Sequence, residues 1–470
     1  MIKKIIKISW VLILSCIMLC GINSFNILAE ENDDDDNTGV FIDFDRDREI
    51  GIVYSVEDDE NIKKVVIPKV FYRGKSYLVK EIDKNSFKDA TNVESLVIPD
   101  SIEFIGQDAF KGCSNLKAVY YKGTIKNWCN IKMENEYSNP MYYGADFYML
   151  NSKNEYYKVT KINLPVTIDT IEKYQFTGCN SLVELNALYN IKYIEVGAFK
   201  NCINLTSVEL SNTVKFISDN AFENCTSLTN IQVSTGLTMI GSEAFLGCTN
   251  LETIELPESL LNIKERAFKN CKSLKSINIP SKILDIKEET FMNCTSLTNI
   301  VLSDKVGEIK ERAFMNCTSL TNLVLSDKVV EIKERAFANN INLSSIKLGN
   351  GLKVIGKEAF LNCQILVDIT LPKRLESIGE SAFNNCNSLS KICIPENVEY
   401  IGPNAFNNCG SLVVEYEGKE IPQSWDSDWN FNNLPVKLTG KGCKKSLASV
   451  YVGLISLTTI TIILKRKELW

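Results

Sequence analysis

The most regular feature of the chain is a phenylalanine that returns every 23 residues. The step is unbroken from Phe176 to Phe406, and it also separates Phe87 from Phe110. A fixed period of this length indicates one supersecondary unit stacked many times, because a single unit cannot bury its apolar face without a neighbour on each side. The pattern therefore predicts a repeat solenoid.

Within each repeat, the apolar positions predict two short extended segments. In one copy, Leu228, Ile231 and Val233 end in the alternation that is typical of a strand with one buried face. Proline follows this segment in several copies, where ladder pairing must end because proline has no backbone N–H. A second segment has apolar ends, as in Val306 and Ile309, and a polar stretch then leads into Ala-Phe. That stretch is too short for a regular helix and predicts a turn or helical turn on the outer side.

The repeat pattern is interrupted once. Phe110 and Phe176 are 66 residues apart, so we place the first repeats at 82–119, a tyrosine-rich insert at 120–161 and contiguous repeats at 162–412. We interpret the insert as a local bulge packed on the solenoid, because large aromatic side chains usually find cover. A binding element is the alternative.

Two neighbouring repeats are almost identical in sequence. Residues 292–314 and 315–337 differ only at Ile300/Leu323 and Gly307/Val330, which indicates recent duplication. An array that changes length by whole units favours a spacer or adhesive surface over a catalyst, whose groups must keep a fixed geometry.

Residues 382–402 read Ala-Phe, Cys, Ser-Leu, Ile-x-Ile-Pro, Val and Ile-Gly in order, and this unit resembles the BspA-type leucine-rich repeat. Segments 51–68 and 421–430 are similar to the lead-in hairpin and the Trp-Asp cap of that family. We therefore assign 30–81 to an acidic leader with an N-terminal hairpin cap, and 413–440 to a C-terminal cap. The resemblance implies a leucine-rich-repeat superhelix with a parallel sheet on its concave face and short turns on its convex face. It also implies a bacterial surface protein with an adhesive role.

Both ends of the chain predict export and anchoring. Residues 1–29 have the basic, apolar and small-residue order of a secretory signal peptide, with cleavage after Ala29. Residues 446–464 are uncharged and long enough to cross a bilayer, and a basic cytoplasmic tail at 465–470 follows. Residues 434–440 have the ends of a sortase motif with two extra residues. We expect membrane anchoring with the repeats outside the cell, and cell-wall linkage is the alternative.

The cysteines form a column rather than a set of predicted pairs. Eleven of the 16 lie three residues after a repeat phenylalanine: Cys113, Cys179, Cys202, Cys225, Cys248, Cys271, Cys294, Cys317, Cys363, Cys386 and Cys409. The column has an odd number of members, Asn340 interrupts it and Ala90 fills it in the first copy. A zinc site needs four convergent ligands, which a line does not supply. We therefore predict buried free thiols, since cysteine behaves as a small apolar residue.

The composition speaks against several function classes. The chain has no histidine, which removes Ser-His-Asp and Cys-His nucleophile systems and histidine zinc sites. A net charge of −6 argues against nucleic-acid binding, which needs a basic stripe. Residues 43–47 open like a calcium loop but lack its glycine and distal glutamate. We expect no enzymatic activity, no cofactor and no metal.

The exposed position between the two inward residues of each first strand forms a candidate protein-binding column. Its members are Glu209, Gln232, Glu255, Asn278, Val301, Val324, Lys347 and Thr370. The same position is Tyr120 before the insert, but we predict no aromatic cluster and hence no hot spot in the column. Two hypotheses remain. One is an adhesin-like protein that binds extracellular or host proteins or other bacterial surfaces, and the other is an envelope spacer that self-associates.

Overall fold

The computed structural model describes residues 39–57, 59–187 and 189–440. The predicted signal peptide, membrane anchor and cytoplasmic tail lie outside the described residues. The chain divides into two compact units, with the boundary between Lys158 and Val159.

The first unit consists of a hairpin followed by stacked coils. Its elements are β1 (Val40–Asp45), β2 (Ile50–Val56), β3 (Lys64–Val66), β4 (Val70–Tyr72), β5 (Lys75–Tyr77), β6 (Val79–Ile82), β7 (Ser95–Ile98), β8 (Phe104–Ile105), β9 (Ala118–Tyr121), α1 (Ile125–Trp128), β10 (Lys132–Met133), a 3₁₀ helix (Glu136–Ser138), β11 (Asp146–Leu150) and β12 (Tyr156–Lys158). β1 and β2 pair antiparallel, and β2, β6, β8 and β10 continue that sheet in parallel. β3, β7, β9 and β11 form a second parallel sheet, which β12 closes as an antiparallel strand.

The tyrosine-rich insert contributes a complete coil to the first unit. β11 pairs in parallel with β9 and sets Tyr148 beside Tyr120, a register of 28 residues. The extra length goes into α1 and the 3₁₀ helix, and Thr124 caps α1 by accepting a hydrogen bond from the Asn127 N–H. Trp128 is fully buried against Phe147. The insert, interpreted from sequence as a bulge, therefore lies in the stack as a longer coil.

The second unit repeats two short strands in each coil. The first strands are β13 (Lys161–Asn163), β15 (Glu184–Ala187), β17 (Ser207–Leu210), β19 (Asn230–Gln232), β21 (Thr253–Ile254), β23 (Ser276–Asn278), β25 (Asn299–Val301), β27 (Asn322–Val324), β29 (Ser345–Lys347), β31 (Asp368–Ile369), β33 (Lys391–Ile394), β35 (Val413–Tyr416) and β36 (Val436–Leu438). The second strands are β14 (Thr170–Ile171), β16 (Tyr193–Ile194), β18 (Phe216–Ile217), β20 (Met239–Ile240), β22 (Asn262–Ile263), β24 (Asp285–Ile286), β26 (Glu308–Ile309), β28 (Glu331–Ile332), β30 (Val354–Ile355), β32 (Ser377–Ile378) and β34 (Tyr400–Ile401). First strands pair in parallel with first strands, and second strands with second strands. We call the two surfaces the first strand face and the second strand face.

The core of the second unit is a column of stacked phenylalanine rings. Phe268 and Phe291 are fully buried, with ring centroids 5.6 Å apart and planes within 2°. The backbone around the rings is also paired between coils, since the Phe314 N–H donates to the Ala336 carbonyl at 2.8 Å. Each fully buried ring contributes about 1.5–3 kcal/mol of hydrophobic stabilisation. The predicted solenoid of coils of about 23 residues is confirmed, and turns follow each second strand.

An asparagine ladder runs beside the rings. The second residue after each phenylalanine has a left-handed backbone, as at Asn293 (φ 63°) and Gly247 (φ 73°). Asparagine and glycine adopt this conformation at lower cost than other residues, which explains why every copy in the second unit has one of these two types just before the cysteine column. The Asn316 side-chain amide donates to Asn293 Oδ1 at 2.7 Å. The left-handed turn thus favours asparagine or glycine at this position, and the asparagine side chains then join neighbouring coils by hydrogen bonds.

The predicted thiol column is confirmed. All eleven members are buried and free, and Cys294 Sγ donates to the Phe268 carbonyl at 3.2 Å. Cys271 makes the equivalent bond to Phe245. Cys393, which lies in β33 and outside the column, is disulfide-bonded. Ten of the eleven thiols donate to a phenylalanine carbonyl in this way, and Cys179 Sγ lies 3.4 Å from Ser181 Oγ, so the column pairs backbone acceptors rather than supplying reactive groups.

Replacing Asn340 by cysteine is expected to stabilise the protein by about 1–3 kcal/mol. Asn340 occupies the thiol column with no exposed surface, and within the described part of the chain neither amide atom of its side chain has a hydrogen-bond partner. The substitution removes that buried amide and adds a thiol that should donate to the Phe314 carbonyl. Urea midpoints of Asn340→Cys and Asn340→Ala separate the two contributions. A lower midpoint for Asn340→Cys would contradict this account.

Candidate binding surface

The structure places the predicted column on the first strand face of the second unit. Parallel pairing puts Glu209 beside Gln232 and Val324 beside Lys347, so successive members are about 4.8 Å apart. All eight members are exposed: Glu209, Gln232, Glu255, Asn278, Val301, Val324, Lys347 and Thr370. The two valines are 52% and 54% exposed, which is high for aliphatic side chains.

The polar members of this column are not used by the fold. Among the described residues, none of the six polar side chains in the column has a hydrogen bond or an ion pair. A neighbouring position differs, because Lys275 pairs with Glu252 at 2.6 Å. The polar column is therefore free to contact a ligand.

The first unit carries an aromatic cluster that the sequence did not predict. Tyr120 and Tyr148 stack with centroids 4.8 Å apart, and Tyr156 meets Tyr120 edge-on at 5.0 Å. Tyr156 is 39% exposed, and the other two rings are half-buried. Burial raises the pKa of Tyr156. The expectation that no aromatic cluster lies at these strand positions is wrong, because a register of 28 residues hides Tyr148 from a search at the 23-residue period.

The residues that open like a calcium loop serve the first hairpin instead. Asp45 accepts hydrogen bonds from the Asp47 N–H at 3.0 Å and from the Arg48 guanidinium at 2.7 Å. The bonds from Arg48 hold the pKa of the Asp45 carboxyl below its usual value. Arg48 also pairs with Glu81. Across the described ranges, no cluster of cysteine, aspartate or glutamate side chains has the arrangement of a metal site.

The cysteines are poor nucleophiles in this arrangement. Burial raises the pKa of Cys113 and of Cys409 to about 12, so both thiols stay protonated at neutral pH. A nucleophilic cysteine needs a lowered pKa and an accessible sulfur.

In the part of the chain that the structure describes, no helix is long and apolar enough to cross a bilayer.

The coils and their spacing match a known family model. The model of the BspA-type leucine-rich repeat region matches residues 79–137, 152–272, 216–344 and 307–417. This chain therefore belongs to the BspA-type leucine-rich repeat family, as its sequence resemblance implied.

Solved structures show the same architecture. A leucine-rich repeat protein from Bacteroides ovatus ATCC 8483 is 27% identical, with a TM-score of 0.62 over 81% of this chain and 94% of that chain. A leucine-rich repeat protein from Eubacterium ventriosum ATCC 27560 is 17% identical, with a TM-score of 0.50 over 82% of this chain and 95% of that chain. The second likeness concerns the fold alone. No curated protein matches this chain.

Proposed function

We propose that this protein is held at the bacterial cell surface and binds extracellular proteins through its first strand face, without catalysis. The observation that carries the proposal is the exposed column of eight residues whose polar side chains have no partner among the described residues. Repeat solenoids commonly use such an extended face for recognition. Partners would be host matrix proteins or the surfaces of other bacteria.

The proposed location rests on the two ends of the chain. Residues 1–29 have the order of a secretory signal peptide, and residues 446–464 have the length and composition of a membrane anchor. Together they would hold the repeats outside the cell, with 465–470 inside.

The proposed binding is spread over many coils. Column members contribute one contact each, so single substitutions should cost about 1 kcal/mol or less. The tyrosine cluster of the first unit is a separate candidate surface, because partly exposed tyrosines commonly act as binding hot spots. The absence of histidine and the high pKa of the buried thiols leave no activated nucleophile of those types.

A triple substitution in the column is expected to weaken ligand binding by about tenfold or more. Cells that display the full chain would be tested with fibronectin, fibrinogen and whole bacteria, comparing wild type with a variant carrying Glu255→Ala, Asn278→Ala and Lys347→Ala. A matched triple, Lys272→Ala, Gln364→Ala and Asn387→Ala, changes exposed turn residues instead and should bind normally.

Three results would contradict the proposal. If the column triple binds every ligand with unchanged affinity, the first strand face of the second unit is not the binding surface. If Tyr148→Ala alone abolishes binding while the column triple does not, the tyrosine cluster is the site.

External protease should remove the repeats from intact cells, and their protection would argue against the proposed location.

A further inference from the structure

The second strand face of the second unit carries an exposed aliphatic strip. Leu261, Leu284 and Val330 are 49%, 59% and 46% exposed, and Gly307 lies between the last two. Each precedes a second strand at the same position of its coil, and backbone hydrogen bonds join these positions in register. The Gly307 N–H donates to the Leu284 carbonyl at 2.7 Å, and the Val330 N–H donates to the Gly307 carbonyl at 3.0 Å. We call this line of positions the pre-strand column.

The glycine in this column is not required by the backbone. A Cβ at Gly307 would meet no atom closer than the Lys328 carbonyl oxygen at 3.7 Å, and the residue does not have a positive φ. The nearly identical next repeat has Val330 at this position. An open depression of about 520 Å³ lies over Gly307, lined by the apolar residues Leu284 and Val330 and by the charged residues Asp285, Lys305, Glu308 and Lys328.

Charge is distributed unevenly along the same column. Towards the N-terminus the column continues with Thr238, Lys215 and Lys192, and towards the C-terminus with Lys353, Glu376 and Glu399. All of these except the half-buried Thr238 are exposed. Lys192 and Lys215 on one side and Glu376 and Glu399 on the other thus lie at equal numbers of coils from an apolar centre. Two of these four are also ion-paired within the chain, Lys192 with Asp169 at 3.4 Å and Glu376 with Lys353 at 2.7 Å.

We propose that the pre-strand column is a homodimer interface in which a second copy packs antiparallel. Reversing the column about the point between Leu284 and Gly307 sets Leu284 of each copy over the Gly307 depression of the other. The same operation sets Leu261 against Val330, Lys215 against Glu376 and Lys192 against Glu399. Such a contact is isologous, which is the usual form of a two-fold interface. A parallel arrangement would instead place Lys215 against Lys215.

The residues that directly follow the column members also face one another in the proposed dimer. Reversal about the same point sets Tyr193 against Tyr400 and Met239 against Val354. Two facing pairs carry like charges. Asp285 faces Glu308, but these carboxylates are ion-paired within their own chain to Lys287 and Lys310. The other pair is Lys282 and Lys305, which lie in exposed turns. Lys305 also lines the depression, and its long side chain can carry its charge out into solvent.

The size of the contact predicts a weak dimer. Ten coils spaced by about 4.8 Å give a strip roughly 45 Å long, and a width of about three residues makes the total buried area on the order of 1,000 Å². Interfaces of that size lie at the low end of specific complexes. We therefore expect association in the micromolar range.

Sedimentation velocity of the full chain in a mild non-ionic detergent tests this proposal. The wild type should shift from monomer to dimer as its concentration rises through about 1–100 µM. Gly307→Val places the side chain found in the duplicated repeat where Leu284 of the second copy would lie, and should raise the dimer dissociation constant at least tenfold, with an unchanged melting temperature. Val301→Lys on the first strand face is the matched control and should dimerise normally.

Charge reversal provides the decisive measurement. Lys215→Glu and Glu376→Lys should each weaken the dimer by about tenfold, and the double variant should recover it. The recovery cannot arise within one chain, because seven coils separate the two residues. A wild type that stays monomeric at about 100 µM would overturn the proposal, and so would dimers that Gly307→Val leaves intact or that the double charge reversal does not rescue. Neither result would bear on ligand binding at the first strand face.

Discussion

Raising the pH from 7 to 10 is expected to destabilise the second unit by several kcal/mol, because its thiol column must stay protonated to stay buried. Burial raises the pKa of Cys317 and Cys363 to about 12 from an ordinary value of 9.0. Burial raises the pKa of Cys271 and Cys294 well above 9.0 as well. The folded chain therefore holds thiol protons that the unfolded chain releases.

The direction of the effect follows from proton binding. Above pH 9 the unfolded state binds fewer protons than the folded state, so stability falls as the pH rises. The stabilisation is fully present below pH 9 and is lost progressively between pH 9 and about 12. At pH 10 each such thiol lowers the free energy of unfolding by about 1.4 kcal/mol relative to its value at pH 7.

A cysteine-depleted variant isolates this contribution from the ionisation of lysine and tyrosine. Cys271→Ala, Cys294→Ala and Cys317→Ala should fold, because Ala90 fills the same column in the first copy. Urea unfolding at pH 7 and pH 10 gives the loss of free energy of unfolding for each protein. The loss should be smaller in the triple variant by about 4 kcal/mol. Equal losses in both proteins would show that the thiols do not cause the alkaline instability.

Replacing Phe291 by alanine is expected to lower the free energy of unfolding by about 3–5 kcal/mol. Phe291 has no exposed surface and stacks against Phe268 at 5.6 Å and Phe314 at 5.4 Å. Its removal leaves a cavity between two rings that the backbone ladders hold in place, so the core cannot close around it. Urea unfolding at pH 7 measures the change.

An exposed ring supplies the control for this substitution. Phe431 is 65% exposed, and Phe431→Ala should cost less than about 0.5 kcal/mol. A loss below about 1 kcal/mol for Phe291→Ala would mean that the ring column does not stabilise the stack.

The predictable parts of this fold are those that repeat. When coils stack in register, one position meets the same surroundings in every coil, so the same residue type returns at Phe268 and Phe291 and again at Cys271 and Cys294. A large apolar residue or a cysteine that returns every 23 residues therefore indicates a position that is buried in every coil. The eight column residues are exposed for the same reason, and their role in binding stays a prediction.

The features that sequence analysis missed are those that break the period. Tyr148 reaches Tyr120 only because α1 absorbs the extra length of one coil. Nothing in a 23-residue spacing indicates that pairing. The sequence shows Gly307 as a difference between two repeats, but it does not specify the free space around the α carbon of this residue, on which its proposed role depends.

The near-identity of residues 292–314 and 315–337 has an evolutionary consequence. Both coils pair with their neighbours through the same backbone hydrogen bonds. Recombination between their coding sequences could therefore delete one copy, and the flanking coils would then pack against a coil of almost the same sequence as before. Such an allele would encode a sound fold whose strand faces are about 4.8 Å shorter. Natural variation in this gene should therefore accumulate as changes of length in whole coils, which a single amplification across the array would reveal.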